Sequence, residues 1–404
     1  MNIVLKAKWF VTSRIKNLKV RKYLKASSKR GIKGKKAKIA FLAQMPEVWD
    51  KQCLVYERLK QMDNVETDLI VIPAYDFEND RVGVYGEEKK YFEDKYGTVI
   101  EGIDGKGQII SLKQYDYVFY QRPYDEYLPL ELRSSEVVKY AKVCHIPYGY
   151  TGAKVFDGSA LTGFYRNVYI AFMDSTEQND ALKKRFRTNV KKGYQHFCDY
   201  GYPVFEKFMD LPRREKLENI LWTPRWSYKA GIGGSHFMEY KDEIFSMNKK
   251  YDDINVVIRP HPLTFSNMIK EGRMTEAEVT DYKKRLEDEG VRIDSNKMIE
   301  DTLFETDILI SDYSAILIMY FLTGRPLIFC RSEFNFNTMY RKMLEGVYIA
   351  DSWSDVEKYV ECIKSGNDYL QEKRRQIIAT EFSDIKGSTE RIVEYLLQDS
   401  NKYS

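Results

Sequence analysis

The sequence is poor in the residues from which redox frameworks and metal centres are built. Its five cysteines, at positions 53, 144, 198, 330 and 362, are scattered and never spaced as C-x-x-C. An odd, dispersed set argues against a disulfide framework and a zinc site, and fits a reducing cytoplasm. Histidine is scarcer, with only His145, His196, His236 and His261. No Asp-x-Asp occurs, which weakens the case for a metal-chelating transferase, and neither a metal nor a cofactor is expected. No apolar run approaches the roughly 18 residues that a membrane span needs. Glycines 231, 233 and 234 do not complete G-x-G-x-x-G, so a dinucleotide fingerprint fails. Acid is missing from one region only. Residues 1–38 hold 14 Lys/Arg and no Asp or Glu, which leaves 50 basic against 60 acidic residues in the remainder.

What is present belongs to a globular chain of two to three domains: 404 residues, 43% hydrophobic and 31% charged. The basic stretch reads as an arm. Val4, Ala7, Val11, Ile15 and Leu18 recur at helical spacing with most of the lysines and arginines off that line, as in a helix that lies on an anionic leaflet. A solvated tail is the plain alternative, nucleic-acid binding a weaker one, and the interrupting lysines argue against a signal peptide.

Beyond the arm, apolar strand-like runs alternate with amphipathic helical runs, the pattern of doubly wound α/β layers. One series runs from KIAFLAQ (38–44) through TDLIVIP, YDYVFYQ and KVCHIP to NVYIAFM (167–173). A charged, proline-containing break at 209–219 suggests a linker. A second series runs from ILWTP (220–224) through INVVIRP, VRIDS and DILIS to PLIFC (326–330) and two later helices near 353–364 and 387–397. The expected organisation is an arm at 1–37, an N-terminal Rossmann-like domain at 38–212 and a C-terminal Rossmann-like domain at 213–404, facing a cleft. The last helix is free to cross back to the first domain.

Polar residues gather where strands end, which is where open α/β sheets bind ligands. In ISDYSAILIMYFLTGRPLIFC, Ser311, Asp312 and Ser314 sit between a strand and a helix expected to begin near Ser314. Such a helix start offers free N–H groups and dipole to a phosphate, while simple N-capping by Asp312 or Ser314 is the structural alternative. NVVIRPHP ends a strand in Arg259 and His261, each followed by a rigid proline, and LWTPRW ends one in Thr223 and Arg225. CHIPYGY places His145 at a strand end in the first series.

The ordered set of a strand-end histidine, GYP, TPRW, RPHP and SDYSA…GRP, over about 142–330, resembles the CDP-glycerol glycerophosphotransferase family, the teichoic acid primases and polymerases. The resemblance implies a GT-B-like fold, peripheral membrane association on the cytoplasmic face, and transfer of glycerol phosphate from CDP-glycerol to a lipid-linked acceptor. By the same resemblance His145 is the catalytic base, and Thr223, Arg225, Arg259, His261, Ser311, Asp312 and Ser314 are donor-phosphate contacts. Ile146, Val204 and Ala315 stand where the family commonly has Gly, Arg and Ser. The chemistry asks for a base on one side of the phosphorus and fixed positive charge on the other, with inversion and no covalent intermediate. A GT-B glycosyltransferase, a nucleotide-sugar epimerase and a membrane-bound adaptor are the other readings the motifs leave open.

Overall fold

The computed structural model describes residues 17–150, 152, 162–209, 211–212, 216–229, 234–296, 298–332 and 335–402. They fall into two compact units. The first is drawn from Met1–Thr151, Val155–Glu206 and Asp384–Ser404, the second from Gly152–Lys154 and Lys207–Ser383.

The strands of the first unit are β1 (Ala37–Ala43), β2 (Val65–Val71), β3 (Tyr75–Asp76), β4 (Arg81–Val82), β5 (Ile100–Glu101), β6 (Tyr117–Tyr120), β7 (Lys142–His145), β8 (Ile170–Phe172) and β9 (His196–Cys198). Seven pair in the order β5-β2-β1-β6-β7-β8-β9, and β3 and β4 form a separate antiparallel hairpin. All the pairings in the seven-stranded sheet are parallel. Such a sheet is covered on both faces, and its strands are accordingly almost uniformly buried: Tyr117–Tyr120 and Lys142–His145 contain no exposed residue. Phe41 of β1 stacks on Phe119 of β6 with ring centres 4.6 Å apart.

The second unit contains β10 (Asn219–Thr223), β11 (Asn255–Ile258), β12 (Arg292–Ile293), β13 (Ile308–Ser311), β14 (Leu327–Cys330) and β15 (Tyr348–Ala350). They are ordered β12-β11-β10-β13-β14-β15. Numbered within their own unit, the strands of both sheets follow the Rossmann order, with the direction of winding reversing between β1 and β6 and between β10 and β13. Those two reversals are where an open α/β sheet leaves a crevice at its carboxyl edge. Trp222 and Phe237 stack at 5.9 Å in the second core.

The helix Ser388–Asn401 is packed in the first unit. Glu206 holds its start, accepting hydrogen bonds from Thr389 N at 3.0 Å and from the Ser388 and Thr389 hydroxyls at 2.8 Å. Gly201 makes that approach possible. Its φ is 83°, and a Cβ there would stand 2.9 Å from both the Asp384 carbonyl oxygen and Ser388 Cβ. Farther along, Asp399 is buried with Lys142, Tyr117 and Tyr169.

Of the expected arm, Val4, Ala7, Val11 and Ile15 lie outside the described residues. Residues 17–27 are helical, with Leu18 58% exposed but Leu24 and Ser27 fully buried. Arg21 Nε donates to Asn189 Oδ1 at 2.9 Å and Lys33 N to Asp116 Oδ1 at 3.0 Å, so residues 17–36 are part of the first unit's body. Among the described residues no helix is long and apolar enough to cross a membrane.

Candidate active site

His145 closes β7 and is fully buried. Its position is set by register: His145 lies opposite Tyr120 on β6, and its Nδ1 is 2.9 Å from the Tyr120 carbonyl oxygen. A carbonyl can only accept, so in the neutral ring the hydrogen sits on Nδ1 and the lone pair on Nε2. Nε2 has no hydrogen-bond partner. Burial lowers the ring's pKa to about 4, against which the Tyr120 bond works only in part. The imidazole is therefore neutral at pH 7, with its basic nitrogen buried and unpaired.

The ring borders a cavity of about 260 Å³ lined also by Tyr124, Tyr148, Tyr165 and Asp174. The edges of Phe164 and Tyr165 meet it at 5.2 and 5.6 Å, and the hydroxyls of Tyr124 and Tyr148 join at 2.7 Å. Aromatic walls with a few directed polar atoms suit a small polyol or sugar, and the volume is below that of pockets for drug-sized ligands. Asp174 also lines this cavity, and Asp157, an acid nearer to His145 in the sequence, lies outside the described residues.

In the second unit the strand ends bring most of the expected donor contacts together, and their bonds separate two roles. Thr223 and Ser311 lie opposite one another on β10 and β13. Thr223 Oγ1 donates to Ser311 Oγ at 2.6 Å, and Ser311 Oγ donates to the Asp312 carbonyl at 2.8 Å, so both hydroxyl hydrogens are committed within the protein. Asp312 is fully buried and accepts from Arg225 N at 2.8 Å, His236 N at 3.2 Å and His236 Nδ1 at 2.6 Å. These three residues build the crevice rather than line it. Ser314 differs. Its Oγ accepts from Ile316 N at 3.3 Å, which leaves its own hydrogen to give. The helix that follows is Ile316–Phe321 with Ala315 at its cap, two residues later and shorter than the sequence suggests. The β-branched Ile316 can enter the first turn, while Ser314 draws the chain into a local side-chain turn instead.

Arg225 donates from Nη1 to the Tyr313 carbonyl at 2.5 Å and stands over the Tyr313 ring at 4.9 Å, while its Nε is buried with no partner. Burial lowers its pKa, with Tyr313 and Asp312 opposing. Arg259 ion-pairs with Asp294 through Nη1, which also donates to the Asn296 carbonyl at 2.8 Å. His261 is exposed beside Trp226, ring centres 6.0 Å apart, and its Nδ1 accepts from Leu263 N at 3.1 Å.

Sequence reasoning missed His236. Burial opposes its charge, but the hydrogen bond and charge of Asp312, with Glu239, raise its pKa overall. Its one sequence signal was the scarcity of histidine; the 76 positions that separate it from Asp312 hide the pair. His236, Asp312 and Cys330 bring ligand atoms within 4.8 Å of one another. A metal there would take a thiolate, whereas burial pushes the Cys330 thiol far up, and Asp312 already serves three donors.

Residues 204–398 match the family described as CDP-glycerol:poly(glycerophosphate) glycerophosphotransferase. That stretch is a glycerophosphotransferase-family region. The glycerophosphotransferase region contains Thr223, Arg225, Arg259, His261, Ser311, Asp312 and Ser314, while His145 and its cavity precede it. No curated protein matches the chain in sequence. Among solved structures, the wall teichoic acid polymerase TagF is similar with a TM-score of 0.54 and 14% identity over 99% of this chain and 97% of that one. A putative UDP-N-acetylglucosamine 2-epimerase from Listeria monocytogenes gives 0.57 and 12% over 91% and 98%. The UDP-GlcNAc 2-epimerase from Neisseria meningitidis bound to UDP-GlcNAc gives 0.51 and 14% over 90% and 100%. At such identities the likeness establishes the fold: two Rossmann-like units of the GT-B type.

Proposed function

We propose that this chain transfers glycerol phosphate, or a related alditol phosphate, from a CDP-linked donor to a hydroxyl of a membrane-associated acceptor in teichoic acid synthesis. The family region supports the transferase class and the CDP-glycerol donor, and TagF has itself been solved with CDPG. The observation that carries the chemistry is the unpaired, unprotonated Nε2 of His145, a residue that lines a polyol-sized cavity.

The step balances as follows. The acceptor oxygen attacks the glycerol-bearing phosphorus, forming a new O–P bond, while the bridging P–O bond of the pyrophosphate breaks and CMP leaves. His145 Nε2 takes the acceptor proton. An imidazolium whose pKa lies near 4 gives that proton up readily, and the departing phosphate, with a second pKa near 6, is the stronger base. In the second unit Arg225, His261 and Ser314 are the direct pyrophosphate contacts, with Arg259 beside them and Thr223, Ser311 and Asp312 fixing their backbone. Guanidinium forks and a hydroxyl aimed at developing phosphate charge are a recurrent means of stabilising it.

The acceptor is lipid-linked and the chain sits peripherally on the cytoplasmic face, attached by the basic residues of 1–16. Nucleotide release tests the reading. The expected result is CMP from CDP-glycerol, with glycerol phosphate appearing on an alditol-phosphate acceptor. UDP from a UDP-sugar would mark a glycosyltransferase. Inversion at C2 of UDP-GlcNAc without nucleotide release would mark the epimerase that the structural likeness allows.

A further inference from the structure

Arg122 follows β6 by two residues, at the carboxyl edge of the β1–β6 reversal and on the strand neighbouring the one that ends in His145. Its guanidinium is held from two sides. Nη2 donates to Gln44 Oε1 at 2.9 Å, and the Tyr127 ring lies 5.3 Å beneath. Gln44 is itself fixed, because its Nε2 donates to the carbonyls of Pro73 at 3.0 Å and Tyr127 at 3.1 Å. Gln121 adds a further tie, accepting from Gln44 N at 2.8 Å and Met45 N at 2.9 Å.

What this cradle lacks is an anion. Arg122 Nε is buried without a partner, and no carboxylate among the described residues forms an ion pair with the side chain. Its electrostatic neighbours are Tyr148, Tyr127 and Tyr124, with Glu47 a weaker influence. Tyr124 and Tyr148 also line the His145 cavity, as does Pro123, the next residue in the chain. A desolvated cation costs several kcal/mol unless something pairs with it, and the rigid fork of arginine matches phosphate geometry.

We propose that Arg122 binds the phosphate of the acceptor, holding the acceptor's terminal hydroxyl at His145 Nε2. The ligand class is a small polyol phosphate, and the assignment deepens the transfer reading on which it rests. It makes the first unit selective: an acceptor ending in an alditol phosphate gains an ionic anchor, and a neutral sugar does not.

The test uses the full chain with sn-glycerol 3-phosphate as probe. Calorimetry should show binding of the phosphate well above that of glycerol, weakened about tenfold or more in Arg122→Gln and partly kept in Arg122→Lys. Equal affinity in wild type and Arg122→Gln overturns the inference. So does an Arg122→Gln variant whose affinity falls for CDP-glycerol as much as for glycerol 3-phosphate, because the phosphate bound would then be the donor's. Should the Gln variant not fold, phenylglyoxal labelling of the wild type replaces it: glycerol 3-phosphate should protect Arg122, and unchanged labelling overturns the inference. Failure of CMP release in the nucleotide assay would defeat the transfer reading alone, since binding and protection are read without turnover.

Discussion

Lys142 Nζ and Asp399 Oδ2 lie 2.6 Å apart with both side chains 3% exposed, and the Tyr117 and Tyr169 hydroxyls complete the carboxylate's shell at 2.7 and 2.9 Å. Removing one partner strands a buried charge, so Asp399→Asn or Lys142→Met should each cost about 3–5 kcal/mol of the first unit's stability. The double variant Lys142→Met, Asp399→Leu should cost much less than the sum of the two. Urea unfolding followed by circular dichroism measures all three. Additive losses would show that the pair is not the source.

Acid should unfold the protein in two stages. Burial depresses His145 to about 4, below the unfolded value of about 6.5. The folded state thus binds fewer protons, and this contribution is complete above 6.5 and lost as pH falls toward 4. Asp399 is also held low: burial works the other way, but Lys142 and the two tyrosines outweigh it. Its contribution is present above the unfolded carboxyl value of about 3.9 and disappears as pH falls below that. Melting temperature against pH should decline first between about 6.5 and 4, and His145→Phe should flatten that limb.

His145→Ala should lower kcat by on the order of 10² to 10⁴ and leave the affinity for CDP-glycerol nearly unchanged, since a base acts in the transition state. The wild-type rate should rise with pH through a group near 4, well below the ordinary histidine value. A limb at 6.5 that survives in the alanine variant would assign the base elsewhere, with Asp174 in the same cavity the first to examine.

The two serines of the SDYS stretch should separate cleanly. Ser314→Ala removes a hydroxyl with a free hydrogen and should weaken donor binding with little change in melting temperature. Ser311→Ala leaves Thr223 Oγ1 without its acceptor in a fully buried place and should cost about 1–3 kcal/mol of stability. Reversed outcomes would exchange their roles.

Deleting residues 1–16 should release the protein from anionic vesicles while preserving its melting temperature, and raising salt should weaken attachment of the full chain. Deletion through residue 30 is a poorer experiment because it removes the buried Leu24 and Ser27. Undiminished vesicle binding by the shorter deletion would end the membrane role of the arm.

Sequence reading reached the strand ends because each is an apolar run halted by polar residues, a contrast that fully buried parallel strands sharpen. That is how His145, Thr223 with Arg225, Arg259 with His261 and Ser311 with Ser314 came to notice. It could not tell which hydroxyls face inward, since Thr223 and Ser311 satisfy one another only once β10 and β13 pair in register. Nor could it find Arg122, whose meaning comes from Gln44 and Tyr127 and from the missing carboxylate. The two-residue β5 carries too little pattern to register, and β9 and β15 were passed over, whereas the equally short β12 lies within VRIDS.

The return of Asp384–Ser404 to the first unit has a consequence for synthesis. Translation delivers the chain from its amino end, and domains generally fold as they emerge. Here Lys142 leaves the ribosome long before Asp399, with the whole of Lys207–Ser383 made in between. The first unit must therefore wait, its buried lysine uncompensated, until Asp399 itself has been made. A nascent chain stalled after residue 383 should hold a protease-resistant second unit beside a first unit still open to cleavage.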